Sequence, residues 1–128
     1  MYESLDVFRT SAAMARHAGA RQLVTAQNLA NADTPGYRAM TLGGFQEAWR
    51  EGPGLALRAS RPGHLTNSVG ETAVPRPQLA QATDAAPNGN TVSVEQEMLA
   101  SVEAQREHSR ALAIWRHGMT VIRTTLGR

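Results

Sequence analysis

Four histidines, His17, His64, His108 and His117, are the residues of this chain best suited to proton chemistry near neutral pH. A catalytic or metal-binding role needs them grouped with carboxylates at a defined spacing. The nearest thing to such a group is Glu103, Glu107 and His108, which fall on one side of a helical repeat and read as a solvated face. There is no His-Glu-x-x-His metal motif, Gly-x-Ser-x-Gly elbow or glycine-rich phosphate loop. Cysteine is absent, which removes thiolate nucleophiles, disulfides and Cys-based zinc sites. The expectation is a non-enzyme with no catalytic residue, metal or cofactor. On this reading His17, His108 and His117 are solvated or interface residues of long helices, and His64, behind Pro62-Gly63, sits in a loop.

The charged residues give a second kind of chemistry to consider. All thirteen basic residues are Arg, set against eleven acidic ones, for a net charge of +2. The pI of about 9.9 reflects the high pKa of Arg as much as any surplus. Exclusive use of Arg has two readings, a bias of genome composition or a demand for guanidinium forks at protein interfaces. Arg106, Arg110, Arg116 and Arg123 could face phosphate, but Glu103 and Glu107 lie among them. The i,i+3 pairs Glu103–Arg106 and Glu107–Arg110 predict mutual neutralisation. A helical, Arg-rich nucleic-acid-binding or adaptor protein is therefore the alternative reading, and no nucleic-acid partner is expected. Arg9, Arg16 and Arg21 flank an apolar stripe that is mostly Ala, too little area for firm insertion into a membrane surface. No apolar run reaches the length of a bilayer span, and the N-terminus has no apolar core of a cleaved secretory signal.

What positions these side chains follows from the helix breakers. All six Pro and eight of the eleven Gly lie between residues 33 and 92 of the 128. The flanks are nearly free of both, which predicts an N-terminal helix over 1–32, an irregular middle over 33–92 and a C-terminal helix over 93–128. The two helices would form one structural domain. In the C-terminal helix Met98, Gln105, Leu112, Met119 and Leu126 repeat every seven residues, with Trp115 and Ile122 between them. That is a coiled-coil seam. Ser93 and Gln96 read as a capping box, and Glu95 and Glu97 suit the first turn. In the first helix Leu5, Phe8, Ala12, Ala15, Gly19, Gln22, Ala26 and Leu29 follow a weaker 3-4 alternation. These two sets are the expected helix-packing and assembly interface. The fold class is all-α: two long terminal helices packed as a coiled-coil-like pair and joined by a partly disordered middle. Within that middle, Leu42, Phe45 and Trp49 predict a short helix and 55–59 a short strand, while 66–90 reads as flexible.

Two long helices can cover one face of each other, and the polar, broken middle is too poor in apolar residues to cover the rest. Much of each helix must then be exposed or must pack against another chain. The isolated protein is accordingly expected to be monomeric, only partly helical and without a sharp melting transition.

The most specific string is Asn28-Leu29-Ala30-Asn31-Ala32-Asp33-Thr34-Pro35-Gly36-Tyr37. Pro35 stops the helix near Asn31 or Ala32, and Pro-Gly suits the centre of a type II turn, with Gly36 at positive φ. This string resembles the N-terminal signature of bacterial flagellar rod proteins, and Asn28, Asn31, Ala32, Asp33, Thr34, Pro35, Gly36 and Tyr37 are the motif positions. Arg61-Pro62-Gly63-His64-Leu65, the run Asn88-Gly89-Asn90-Thr91-Val92 with Glu95-Gln96-Glu97-Met98, and the ending Thr125-Leu126-Gly127 agree with the same family. The length is that of its short proximal-rod members. The resemblance implies a structural subunit of the periplasm-spanning rod near the inner membrane, exported by the flagellar type III apparatus without a cleaved signal. It also implies neighbours: the C-type proximal rod protein and further rod subunits, the adaptor called hook-basal-body protein E, the inner-membrane ring protein and export gate, and other copies of the chain.

Overall fold

The computed structural model describes residues 2–51, 76–80 and 85–127, leaving the side chains of residues 2–5 and 51 outside the description. The expected strand over 55–59, the 61–65 segment with His64, and the side chain of Leu5 lie outside the described residues.

Helix α1 runs Tyr2–Ala30 and helix α3 runs Val94–Thr125. At about 1.5 Å per residue they are roughly 43 and 48 Å long. Between them come strand β1 (Met40–Thr41), helix α2 (Phe45–Glu51) and strand β2 (Gln78–Leu79). The all-α class with two long packed helices holds. α1 and α3 are antiparallel: Asn28, near the end of α1, meets Glu97 at the start of α3, and Phe8 lies over Gly118 toward the other end. The short strands pair antiparallel, Met40 with Leu79 and Thr41 with Gln78, a feature with no periodic signal in so short a run. α2 begins at Phe45 as the spacing of Leu42, Phe45 and Trp49 predicts, with Leu42 buried just before it.

The register of the α1–α3 seam differs from the expected one. The buried positions of α3 are Ala104 and Ala111, continued at the same seven-residue spacing by half-buried Glu97 and Gly118. Among the buried positions of α1, Ser11, Ala18 and Thr25 repeat every seven, followed by Asn28. Each precedes an expected seam position by one residue, a turn of about 100° around the helix. Small side chains win the seam because they let the two backbones approach, and one contact shows how closely. A Cβ built on Gly118 would stand 3.0 Å from the Phe8 ring. That ring in turn meets Trp115 edge-on at 4.8 Å between centroids.

The larger apolar heptad is left outside. Met98 is 60% exposed, Leu112 36%, Met119 38% and Leu126 76%, while Gln105 is exposed and Ile122 half-buried. On α1 the expected Ala12 and Ala15 are half-buried and Ala26 and Leu29 exposed, whereas the expected Phe8 and Trp115 do meet between the helices.

Ser93 stands at the N-cap of α3 in extended conformation, but its side chain makes no capping hydrogen bond. The capping box expected with Gln96 is therefore not formed. The first turn is held from outside instead, through Glu97.

Candidate functional site

The decapeptide and the run before α3 close on each other in a polar corner at one end of the helix pair. Its centre is Asn28, 1% exposed. The Asn28 Nδ2 donates to the Met40 carbonyl at 2.7 Å and to Glu97 Oε1 at 2.8 Å. Its Oδ1 accepts from the Met40 amide at 3.0 Å and from the Tyr37 hydroxyl at 3.4 Å. One amide side chain thus ties α1 to β1, to the turn and to the first turn of α3, and uses both of its polar ends.

Asn90, 3% exposed, does the complementary work from the far side. Its Nδ2 lies within hydrogen-bond distance of three carbonyls, those of Asn31, Ala32 and Thr34 (3.0, 2.7 and 2.9 Å). These carbonyls follow the end of α1, where main-chain acceptors run out of helical partners. Its Oδ1 accepts from the Val92 amide at 2.7 Å, which fixes the approach to α3. The turn between them is as expected: the Tyr37 amide bonds to the Thr34 carbonyl at 3.3 Å and Gly36 has φ 71°. Thr34 Oγ1 donates to Asn31 Oδ1, and Asn31 Nδ2 donates back to the Gln27 carbonyl.

A second, tighter turn faces this one. The Gly89 amide donates to the Ala86 carbonyl and the Ala86 amide to the Asn90 carbonyl, each at 2.8 Å, with Gly89 at φ 79°. This is the bonding of a three-residue hairpin loop, Pro87-Asn88-Gly89, closed by a glycine in the left-handed region. The loop docks when the Gly36 amide donates to the Asn88 carbonyl at 3.0 Å. A Cβ on Gly89 would lie 3.5 Å from the Gly36 Cα. Thr91 completes the junction, its amide on the Tyr37 carbonyl and its Oγ1 accepting from the Ala39 amide at 2.8 Å. Residues 86–90, read from composition as part of a flexible stretch, are therefore bonded in place, together with Thr91. Composition carries no sign of partners so distant in the chain.

Residues 9–38 match the family of flagella basal body rod proteins. The matched span covers most of α1 and the corner's first half, through the turn and Tyr37. The match supports a structural role in the flagellar basal-body rod. No curated protein matches the chain. All the expected motif positions except Asp33 contribute to the corner. Asn28, Asn31, Thr34 and Tyr37 make its hydrogen bonds, Ala32 offers a carbonyl, and Pro35 and Gly36 shape the turn. Asp33 is exposed beside them. Asn90, equally central, was named in the sequence only within the run before α3 and given no bonding role. The signal was available in the run Asn88-Gly89-Asn90, which is turn chemistry next to a helix start.

The charged and titratable residues sort differently from expectation. Glu103 and Glu107, one helical turn apart on α3, reach across to α1 rather than to Arg106 and Arg110. Arg21 Nη1 lies 2.9 Å from Glu107 Oε1, and Nη2 lies 3.8 Å from Glu103 Oε2. Arg106 and Arg110 are exposed on the outer side, whereas the Arg21 side chain is only 19% exposed between the helices. A cleft of about 190 Å³ beside it is lined by Arg21, Thr25, Met40, Leu42 and Glu97, and its two charged members are already paired or hydrogen-bonded. Among the described residues no group of three or more His, Asp or Glu is arranged to hold a metal, and no helix is long and apolar enough to cross a membrane.

His17 is buried, 3% exposed, not solvated. Its ring packs edge-on against Phe45 of α2 at 5.6 Å, and Phe45 continues to Trp49 at 5.5 Å. Neither ring nitrogen has a hydrogen-bond partner. Burial lowers its pKa below 6.5. Glu107 opposes that shift, Arg21 adds to it, and the Gly43 main chain, near the ring but outside hydrogen-bond geometry, opposes it slightly. The unfolded chain therefore takes up this proton before the folded one does. Stability from His17 is complete above pH 6.5 and is lost as the pH falls below that value toward the lowered one. We expect the Trp49 fluorescence of a Trp115→Phe background to shift to the red on acidification below pH 6.5, and His17→Leu to remove that transition. A transition surviving His17→Leu would assign the effect to other groups.

Proposed function

We propose that this chain is a structural subunit of the flagellar basal-body rod, of the proximal type called flagellar basal-body rod protein B. In this reading it assembles side by side with other copies and with the C-type rod protein, next to the hook-basal-body protein E adaptor, the inner-membrane ring protein and the export gate. The observation that carries it is the displaced seam. The helix pair spends its smallest residues on its own contact and keeps the apolar heptad Met98, Leu112, Met119 and Leu126 outward along the length of α3. A helix roughly 48 Å long with an exposed apolar stripe suits lateral packing in a layer of parallel helices.

Torque on a shaft is shared when many long elements touch along their sides. A repeated contact whose rotation does not close into a ring builds an open helical array. The corner fits this role because it fixes how α1 and α3 enter the layer, so each subunit presents one geometry. Export before assembly requires a chain that unfolds easily, and a monomer with uncovered stripes is of that kind. Export by the flagellar type III apparatus, a periplasmic position and the absence of nucleic-acid partners belong to the same reading.

The test is a pair of outward substitutions. Leu112→Asp with Met119→Asp should leave the helical content of the isolated chain within about a tenth of the parent value, since both positions lie outside the α1–α3 seam. The same double variant should be exported but fail to enter purified basal bodies, with loss of motility. Normal motility and normal incorporation would defeat the assignment of this face to assembly.

A further inference from the structure

The chain contains one Asn-Gly pair, Asn88-Gly89, and it stands at the exposed tip of the loop that docks on the rod-signature turn. Glycine after asparagine leaves the following amide unshielded by a side chain, so that amide nitrogen can attack the asparagine side chain. The other described asparagines, Asn28, Asn31 and Asn90, are followed by Leu29, Ala32 and Thr91. Each of these residues crowds the attacking nitrogen.

We propose that Asn88 is a site of spontaneous deamidation that closure of the corner switches off. In the reaction the Gly89 amide gives up its proton to base and its nitrogen bonds to the Asn88 Cγ, expelling the side-chain nitrogen as ammonia. The product is a five-membered succinimide. Water then opens the ring at one of its two carbonyls. Opening at the former side-chain carbonyl gives aspartate, and opening at the main-chain carbonyl gives isoaspartate, with no oxidant or reductant involved.

The closed corner opposes both requirements. The Gly89 N–H is held on the Ala86 carbonyl at 2.8 Å, so the nucleophile's proton is engaged. The Asn88 side chain is itself tethered, its Oδ1 accepting from the Asn90 amide at 3.0 Å, so it is not free to swing to the geometry of attack. The Asn88 carbonyl is fixed by the Gly36 amide, and Gly89 is held at φ 79°. Attack therefore passes through the fraction of molecules with the corner open. The product acts back on the corner. Isoaspartate lengthens the main chain by one methylene between positions 88 and 89, which displaces the Gly36 contact and the three-carbonyl grip of Asn90. A chain held open would thus lose the ability to close, whatever it later assembles with.

The experiment incubates the full-length chain in mildly alkaline buffer, with and without urea, and follows Asn88 by peptide mapping with isoaspartate detection. We expect modification at Asn88 to be at least about tenfold slower without urea, because only the open fraction reacts. Asn28→Ala, which opens the corner without touching the dipeptide, should bring the rate in plain buffer close to the rate in urea. Asn88→Gln should abolish the signal. Equal rates with and without urea, faster modification at another asparagine, or no acceleration in Asn28→Ala would each overturn the proposal.

Discussion

Asn28→Ala should open the corner while leaving most of both helices formed. The substitution strips four hydrogen bonds from a residue that is 1% exposed and leaves the Met40 amide and carbonyl without their partner. Each orphaned buried group costs about 1–3 kcal/mol, so the local penalty is roughly 3–5 kcal/mol. The direct readout is hydrogen exchange of the Met40 amide, which should accelerate by about a hundredfold or more. Asn28→Asp tests whether the side-chain NH2 matters in itself. It keeps shape and the acceptor but turns a second carboxylate oxygen toward Glu97 and the Met40 carbonyl, so it should be at least as damaging as alanine. If Met40 exchange were unchanged in both variants, the corner would owe nothing to Asn28.

Ala104→Leu should break the helix pair itself. Ala104 and Ala18 are fully buried and Ala111 nearly so, and the close approach at Gly118 leaves no slack in the same seam. A leucine there adds three carbon atoms to a closed contact, and such overpacking costs about 1–3 kcal/mol even where a core can adjust. A seam of small residues has little large side-chain area to rearrange, so the helices would separate or slide. We expect loss of a large part of the helical circular dichroism and faster exchange in the middle of both helices. The contrast with Leu112→Asp is the point of the measurement: a charge on the outer stripe should be silent in the isolated chain, whereas one extra apolar side chain on the seam should be severe. Silent Ala104→Leu would place the helix contact elsewhere.

The two helices were legible because breakers cluster between residues 33 and 92 and the flanks lack them. The turn at Thr34-Pro35-Gly36-Tyr37 was legible for the same local reason, since Pro and Gly dictate backbone angles without help from the rest of the chain. Helix α2 followed from three apolar residues at helical spacing. The failures share a cause. The heptad of large residues on α3 was taken as the seam on strength of hydrophobicity, but adjacent positions one residue earlier carry Ala104, Ala111 and Gly118, and backbone approach decided between them. His17 sits next to Ala18 on the same helix and was read as a solvated or interface residue because no periodic rule says that a third element, α2, covers that side. Glu103 and Glu107 had plausible partners on their own helix and found a better placed one on the other.

By itself, then, the order of residues determined where the helices begin and end and where the chain turns, because those outcomes rest on φ, ψ and hydrogen bonds within a few positions. The tertiary structure alone decided which face of each helix is inside, which asparagine holds which carbonyl, and that Asn28 and Asn90, 62 positions apart, serve the same corner. Those choices depend on how closely two backbones approach and on which polar groups that approach strips of water, and neither quantity is written in any local stretch of the chain.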